Sequence, residues 1–265
     1  MPKIIDLTRT LANIPENFPE LFKPLARILF PEINYVNHDA GAKIMMQIFN
    51  CNEKALPEGK GWAEEDISIS SHLGTHVDAP WHYGPVNEHT KYPYIDEIPL
   101  EDLYMNACVL DFTDLCGSGA LIDIDKLNLA FAKIDLDPQA ITSPMAVLIN
   151  TGASLVAMTE FKYHNYPGLD FDSASYLAQA GFKIIGTDAT GIDRPFLQMA
   201  QDFHKTQDKK HIWGAHFALQ GQDIYILQQL TNLKSVPPKN FKIACFPLKF
   251  KNASAAPARI VAFVD

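Results

Sequence analysis

Residues 72–82 read His-Leu-Gly-Thr-His-Val-Asp-Ala-Pro-Trp-His, so three imidazoles and one carboxylate lie within eleven residues. Four residues of this segment oppose a helix, because they are flexible, β-branched or unable to donate a backbone hydrogen bond: Gly74, Thr75, Val77 and Pro80. We therefore expect an extended segment at the end of a strand, in which His76 and Asp78 point the same way. Gly74 allows the backbone to fold so that His72 reaches the same point.

This set of side chains is typical of a metal site. Imidazole nitrogen together with carboxylate oxygen suits zinc, manganese or ferrous iron. The alternative is that these are unrelated surface or core histidines, which explains a single histidine better than a cluster this dense. By the same reasoning, the isolated histidines are expected at the surface: His38, His89, His164, His204 and His211.

The composition fits a soluble globular protein and excludes several other classes. The chain has 265 residues, of which 47% are hydrophobic and 20% charged, so we expect one domain over residues 1–265 with a substantial core. The net charge is 22 − 31 = −9, and no basic stripe is present, which argues against a nucleic-acid partner. Neither a signal peptide nor an apolar run long enough to span a membrane is recognised.

The cysteines indicate the redox environment. Cys51, Cys108, Cys116 and Cys245 form no CxxC pair, so neither a cysteine zinc site nor a secreted disulfide framework is indicated. A reducing cytoplasm is the simpler expectation. Cys108 and Cys116 are expected to pack in the interior rather than to act as nucleophiles.

Strands and helices alternate along the chain without a glycine-rich dinucleotide fingerprint, which indicates an α/β domain with a mixed sheet or barrel. Apolar or alternating runs predict strands at 3–10, 66–71, 107–112, 145–151, 183–187, 223–230 and 259–264. The strand at 66–71 should be half-buried and should run directly into the histidine segment. Residues 173–180 predict a helix, with Ser173 as N-cap and Gly181 as its stop. The proline-containing residues 13–33 predict a loop with a short helix, serving as a lid or as an arm toward a partner subunit.

The histidine segment resembles the HxGTHxDxPxH signature of the metal-dependent cyclase family, whose hydrolases include kynurenine formamidases, isatin hydrolases and trans-dienelactone hydrolases. Every fixed position of the signature is present. Weaker matches extend the resemblance over most of the chain, at residues 148–152, 186–193, 216 and 226–230. The resemblance implies a swivelling β/β/α-type fold, a small-molecule substrate, and a homodimer or homotetramer.

The resemblance also implies roles for individual residues. His72, His76 and Asp78 would be metal ligands. His82 would stand beside the metal as proton donor and acceptor. His216 would lie near the metal, as a second-metal ligand in two-metal members or as a catalytic or substrate-binding group in others.

One position departs from the family pattern. Two-metal formamidases carry a glutamate where this chain has Gln228. A neutral amide supplies one negative charge fewer, so a second divalent cation is harder to hold. We therefore expect one Mn²⁺ or Zn²⁺ per chain, with the side-chain oxygen of Gln228 as a candidate ligand.

The expected activity is metal-assisted hydrolysis of an amide or ester carbonyl in a small cyclic or aromatic substrate, as in isatin hydrolases. The alternatives are an arylformamidase, a non-hydrolytic cyclase or dehydratase, and a metal-binding protein without turnover. The aromatic residues that could wall a pocket, or equally pack in the core, are Trp62, Trp81, Trp213 and Phe18. Asp188 and Asp193 either hold a loop near the site or form turns.

Overall fold

The structure is a computed structural model and describes residues 2–84 and 91–265. The expectation for His89 concerns a residue outside these ranges. The strands within them are β1 Lys3–Asp6, β2 Glu32–Val36, β3 Glu64–Ser68, β4 His76–Asp78, β5 Tyr104–Asp111, β6 Met145–Asn150, β7 Phe182–Thr187, β8 Tyr225–Gln228, β9 Phe241–Ala244, β10 Ala255–Pro257 and β11 Val261–Val264. The α-helices are α1 Ala26–Leu29, α2 His38–Ile48, α3 Ile124–Lys133, α4 Phe161–His164, α5 Phe171–Gln179, α6 Phe196–Thr206 and α7 Gly214–Ala218.

Nine of the strands form one curled, mixed sheet in the order β1-β11-β9-β5-β6-β7-β8-β4-β10, while β2 and β3 form a separate two-stranded ribbon. β5, β6, β7 and β8 run parallel, and the flanking strands pair antiparallel. Just beyond β1 and β8, Thr8 bridges to Leu230, and the backbone N–H of Thr231 donates to the carbonyl oxygen of Leu7 at 2.9 Å. The first strand of the sheet thus curls back to its seventh, which gives a partly closed barrel and confirms the predicted mixed-sheet or barrel core.

The central strands are buried on both faces, as their continuous apolar sequences predict. In β6, Ala146 and Leu148 point into the interior of the curled sheet, where side chains from nearly all its strands meet. Val147 and Ile149 point outward into a second core that is covered by α3, α5 and α7. The sheet therefore separates two apolar layers, and its strand order decides which side chains reach the site.

Each predicted strand contains a strand in the structure, with ends shifted by a few residues, but one prediction of burial is wrong. The strand near 66–71 is β3, which ends at Ser68 and is exposed along its whole length. It pairs with β2 in the ribbon, and every residue of β2 is exposed or at most half-buried as well. Alternation of polar and apolar residues indicates a strand, but only a second packed layer makes one face buried.

The predicted helix at 173–180 is α5, and its N-cap is Asp170 rather than Ser173. The Asp170 carboxylate accepts from the backbone N–H of Ser173 at 2.9 Å, and the Ser173 hydroxyl accepts from the backbone N–H of Asp170, which makes a capping box. A carboxylate three residues earlier competes successfully for the cap position. The predicted stop is confirmed, since Gly181 follows the helix with φ of 94°.

The N-terminal segment crosses the outside of the domain and ends close to the histidine segment. Within residues 13–33, a 3₁₀ helix over Glu20–Leu25 leads into α1, which confirms the predicted loop with a short helix. Phe18 and Leu29 are buried against a small cluster that includes Tyr163. Whether this segment acts as a lid or as a subunit arm stays a prediction.

Arg9 fastens this segment to the sheet. Its guanidinium donates to Gln229 Oε1 at 2.6 Å, to the carbonyl oxygen of Leu29 at 2.7 Å and to the Tyr163 hydroxyl at 3.3 Å. Gln229 in turn donates to the carbonyl oxygen of Ile28 at 2.9 Å. One arginine therefore connects the end of β1, the end of β8 and α1.

We expect Arg9→Lys to lower the free energy of unfolding by about 1–3 kcal/mol, because an ammonium group cannot serve three acceptors in a fixed fork. Limited proteolysis within residues 13–33 should also become faster. The matched control is Arg259→Lys, which alters a surface ion pair with Asp6 and should change little. Denaturant unfolding of the two variants measures the difference, and equal stability would contradict this account of Arg9.

Candidate metal centre and active site

Two of the predicted ligands lie on β4, which is enclosed by β8 on one side and β10 on the other. His76 and Asp78 are two residues apart and share one face of the strand, as their spacing predicts. Gln228 of β8 stands directly opposite His76 in the antiparallel register. Because β4 has a hydrogen-bonded neighbour on both edges, His76 is 1% exposed and Asp78 is fully buried.

The turn before β4 brings the third predicted ligand to the same point. Gly74 has φ of 59°, and a side chain there would collide with Leu11. After this turn, His72 Nδ1 lies 2.9 Å from Asp78 Oδ1, while His76 Nε2 lies 3.2 Å from the same oxygen. The structure therefore brings together His72, His76 and Asp78.

Two atoms of this cluster are buried without a hydrogen-bond partner, namely His76 Nε2 and Asp78 Oδ1. His76 Nδ1 lies 2.7 Å from the carbonyl oxygen of Gly74, which makes Nδ1 the protonated nitrogen and leaves a lone pair on Nε2. Two lone-pair atoms 3.2 Å apart repel each other unless a cation binds between them. This pair of atoms, with the imidazole of His72 beside it, fits a divalent metal ion.

His82 completes the group. It ends the 3₁₀ helix Pro80–His82, and its ring centroid lies 4.1 Å from that of His72. One ligand atom each of His72, Asp78 and His82 lies within 4.8 Å of the other two. His82 is thus close enough to act either as a proton carrier beside an ion or as a further ligand.

The protonation states follow from burial and from the neighbouring charges. Burial lowers the pKa of His82, and together with the opposing pull of Asp78 and the further lowering by the adjacent imidazoles it brings that pKa to about 3, so His82 is neutral near pH 7. Burial alone would raise the pKa of Asp78, but the imidazoles of His76, His82 and His72 outweigh it and hold that pKa well below its usual value. The cluster therefore holds a carboxylate at Asp78 and a neutral imidazole at His82, which are the forms that bind metal.

His216 joins the site from α7, and Asp193 fixes its orientation. Asp193 is nearly fully buried; one oxygen accepts from the backbone N–H of Ala215 at 2.7 Å, and the other hydrogen-bonds His216 Nδ1. His216 Nε2 therefore carries a lone pair and points into the site. Of the two interpretations of Asp193, the structure favours a residue that holds the site.

Gln228 lies between Asp78 and His216 and connects these two residues. Its Nε2 donates to Asp78 Oδ2 at 2.9 Å and lies 3.3 Å from His216 Nε2. The amide nitrogen, rather than the oxygen, faces this point because both neighbours are acceptors. The expectation that the side-chain oxygen of Gln228 is a metal ligand therefore stays a prediction.

The imidazoles of His72, His76, His82 and His216 line a cavity of about 470 Å³ together with Gln228. Trp213 lines this cavity, and its ring stacks on His216 with centroids 4.2 Å apart. Trp81 instead packs against Tyr94, and Phe18 packs against Phe30. The other apolar side chains of the cavity wall are Ile28, Phe196, Met199, Ile212 and Phe217.

The remaining candidate residues are structural. Asp188 accepts four hydrogen bonds from the backbone and hydroxyl groups of Thr151 and Ser154, so it holds that loop rather than the reacting groups. His164 is buried and stacked on Phe22, so the surface position predicted for it is wrong. Burial raises the pKa of the Cys108 thiol to about 12, which confirms that Cys108 packs as an inert side chain.

Sequence reasoning missed the contact between Asp193 and His216 as well as the anchoring role of Arg9. Both depend on residues that are distant in the chain, and a single sequence carries no direct signal for such pairs. The sequence points to Asp193 only because it lies in residues 186–193, a segment that resembles the family pattern. Trp213 was one of several aromatic candidates, and nothing in its own neighbourhood in the sequence distinguished it.

Comparison with known proteins settles the family. The family model named Cyclase, described as "Putative cyclase", matches residues 5–194. The chain belongs to this family. Kynurenine formamidase of Maricaulis maris (strain MCS10) is 31% identical over 195 residues, which are 74% of this chain and 78% of that protein. The signature-based resemblance is therefore confirmed at the level of the family.

Solved structures confirm the fold. Isatin hydrolase A from Ralstonia solanacearum superposes with a TM-score of 0.72 at 21% identity, covering 99% of this chain and 92% of that one. Isatin hydrolase A from Labrenzia aggregata bound to benzyl benzoate gives a TM-score of 0.70 at 23% identity, covering 99% and 93%. In the part of the chain that the structure describes, no helix combines the length and apolar character needed to cross a membrane.

The contact between Asp193 and His216 can be tested by Asp193→Asn. An asparagine has one acceptor oxygen, so it cannot serve both Ala215 and His216, and one of the two buried donors loses its partner. We expect the free energy of unfolding to fall by about 1–3 kcal/mol. We also expect ¹⁵N NMR of labelled histidine to show a smaller population of the Nδ1–H tautomer for His216.

Asp172→Asn, an exposed carboxylate on α5, is the matched control and should leave both measurements unchanged. An unchanged His216 tautomer in Asp193→Asn would show that Asp193 does not orient this ring.

Proposed function

We propose that this chain is a metal-dependent hydrolase that cleaves an amide or ester carbonyl in a small, cyclic or aromatic substrate. The observation that carries the proposal is the pair of buried, unpartnered atoms His76 Nε2 and Asp78 Oδ1, of which His76 lines a cavity that also has aromatic side chains in its wall. Membership of the cyclase family and the names of its relatives, kynurenine formamidase and isatin hydrolase, support the same class.

His72, His76 and Asp78 would hold the ion, and His82 lies within reach of the same point. Two imidazole nitrogens and one carboxylate oxygen suit both Zn²⁺ and Mn²⁺. A divalent ion at this position would lower the pKa of a nearby water molecule and polarise the substrate carbonyl. The partners of these ligands also fit such a site, because Ser254 Oγ lies 3.1 Å from His72 Nε2 and orients that ring.

The side chains of the chain itself move the protons. His82 would take a proton from water and deliver it to the leaving nitrogen or oxygen, and its pKa of about 3 favours the delivery step, because the protonated ring gives up its proton readily. His216 presents a lone pair on Nε2, because its Nδ1–H donates to Asp193. In this tautomer His216 orients Gln228 or an N–H group of the substrate, and it would stabilise an oxyanion only after gaining a second proton.

The position of Gln228 supports one ion per chain. Its amide nitrogen lies between Asp78 Oδ2 and His216 Nε2, and donates hydrogens to a point where a second cation would need negative ligands. A glutamate at the same position would add a carboxylate there. The neutral amide instead satisfies both acceptors without a second ion.

The cavity supports the substrate class. A volume of about 470 Å³ falls within the range of small-molecule sites, and its apolar side chains suit a flat ring. Cyclic amides and lactones are the first candidates, because the glutamate typical of two-metal formamidases is absent. Arylformamides are the second, because the sequence relatives are kynurenine formamidases.

We also propose a homodimer or homotetramer in a reducing compartment such as the cytoplasm. Large apolar side chains are exposed on the ribbon and at the end of α2, a position that a partner subunit would cover: Tyr35, Ile48, Phe49 and Ile67. All four cysteines are free, which suits a reducing environment.

Metal content tests the proposed centre. For protein purified without chelator, we expect elemental analysis to find one manganese or zinc ion per chain. His76→Ala should lose the ion, because only His72 and Asp78 of the proposed set remain. Gln228→Glu should raise the content toward two ions. His204→Ala, at an exposed histidine of α6, is the control and should retain one ion. Two ions in the unchanged chain would contradict the role given to Gln228.

Proton release tests the reaction. Near pH 7, hydrolysis of an aryl amide or an ester yields a carboxylate and releases one proton, because the aryl amine or alcohol that leaves stays neutral. A pH-stat should therefore record base uptake when the metal-loaded protein acts on an aryl lactam, a lactone or formanilide. Turnover without proton release would point to the cyclase or dehydratase alternative. Binding of the metal without turnover of any of these substrates would favour a metal-binding protein.

A further inference from the structure

The charged groups of the cavity wall differ in whether they have partners. Besides the histidine cluster, the charged residues that line the cavity are Arg27, Asp193 and Arg194. Both oxygens of Asp193 are used in the hydrogen bonds described above. Arg194 forms an ion pair with Asp202 and donates to the carbonyl oxygen of Gly119 at 3.1 Å. Among the residues that the structure describes, Arg27 has no carboxylate partner and its side chain is exposed.

The backbone beside Arg27 is nonetheless held firmly against the site. The carbonyl oxygen of the next residue, Ile28, accepts from the backbone N–H of Gly74 at 3.1 Å and from Gln229 Nε2 at 2.9 Å. Leu29 is completely buried. Gly74 belongs to the turn between two proposed metal ligands, and Gln229 directly follows Gln228. The distance from Arg27 to the cluster is therefore fixed at the backbone, while the guanidinium stays free to contact a ligand.

The walls near Arg27 are apolar. Ile28 contributes from the same segment, and Trp213, Phe217 and Ile212 contribute from the region of α7. Such walls bind the flat body of a ligand but offer nothing to an anionic substituent. Away from the proposed metal centre, Arg27 is the described cavity residue that offers a carboxylate on the ligand an unpaired cation, because Arg194 is already paired with Asp202.

We propose that Arg27 binds a carboxylate of the substrate, so that the preferred substrates are anionic, with a flat apolar body lying against Trp213. A guanidinium pairs with a carboxylate through two parallel N–H···O hydrogen bonds, which fixes orientation as well as charge. The chain carries a net charge of −9 and repels anions in general, so a cation on the cavity wall makes this cavity selective for them. The inference rests on the proposed function for the position of the reacting carbonyl.

The kinetic test compares a neutral substrate with anionic relatives of the same shape. The neutral substrate is formanilide, and the relatives are the ortho, meta and para formamidobenzoates. We expect the unchanged protein to prefer at least one formamidobenzoate. In Arg27→Gln, KM for that substrate should rise about tenfold, the size expected from losing a hydrogen-bonded charge, while formanilide should change less than about twofold. In Arg27→Lys, KM for that formamidobenzoate should lie between the values of the unchanged protein and of Arg27→Gln.

The matched control is Lys23→Gln, which removes a positive charge from the same segment but does not line the cavity. It should leave both substrates unaffected. Equal changes for formanilide and the formamidobenzoate in Arg27→Gln, or no change in either, would overturn the proposal. A loss caused only by weakened long-range attraction would appear in Lys23→Gln as well, and would also overturn it.

A binding measurement separates this proposal from the proposed function. Calorimetric titration of the metal-loaded protein with anthranilate and with aniline requires no turnover. We expect anthranilate to bind more tightly than aniline. In Arg27→Gln, the affinity for anthranilate relative to aniline should fall about tenfold. If no lactam, lactone or formamide is hydrolysed, the proposed function fails, and the titration still decides the role of Arg27. Equal affinity of the two ligands, or an anthranilate affinity that Arg27→Gln leaves unchanged, would overturn that role.

Discussion

The carboxylate of Asp78 is the constraint on which the rest of the site depends. It lies on β4, enclosed by a strand on each side, and has no exposed surface. A buried carboxylate is strongly destabilising unless positive or polar groups surround it. Three imidazoles and one amide meet this one side chain, and they leave one of its oxygens without a hydrogen bond. A bound cation removes that deficit, so stability and function depend on the same interaction.

The order of strands explains how distant parts of the chain reach Asp78. β8 places Gln228 beside it, and the residue just before β10, Ser254, contacts the outer nitrogen of His72. The parallel strands β5 to β8 form the rigid centre, while the curl of the sheet brings β1 next to the end of β8. Arg9 and Gln229 then hold α1, which contributes Arg27 and Ile28 to the cavity wall. This part of the wall is therefore positioned by two residues that lie far apart in the chain.

The local part of the site could be predicted from the sequence, whereas its long-range part could not. His72, His76 and Asp78 lie within seven residues, so strand periodicity and one glycine turn were enough to place them together. Strands with continuous apolar runs were also found, because burial on both faces leaves a clear pattern. The contact between Asp193 and His216 joins residues from separate elements, and family resemblance alone indicated that His216 mattered.

Two errors show what the sequence does not contain. β3 alternates like a half-buried strand, yet each of its residues is exposed in the two-stranded ribbon that it forms with β2. The helix α2 was not predicted; its Gly41 lowers helix propensity, but the helix forms with Asn37 as its N-cap. In both cases the outcome depends on packing partners rather than on local pattern. The orientation of the Gln228 amide likewise follows from its two acceptor neighbours.

The central claim is that a cation binds at the unpartnered oxygen of Asp78. Anomalous X-ray diffraction from crystals grown with Mn²⁺ or Zn²⁺ tests it most directly, because it locates the metal independently of activity. The account predicts one anomalous peak per chain, at coordinating distance from Asp78 Oδ1 and His76 Nε2. Crystals grown with saturating metal would contradict it if they showed no peak there and an imidazole donated to Asp78 Oδ1 instead.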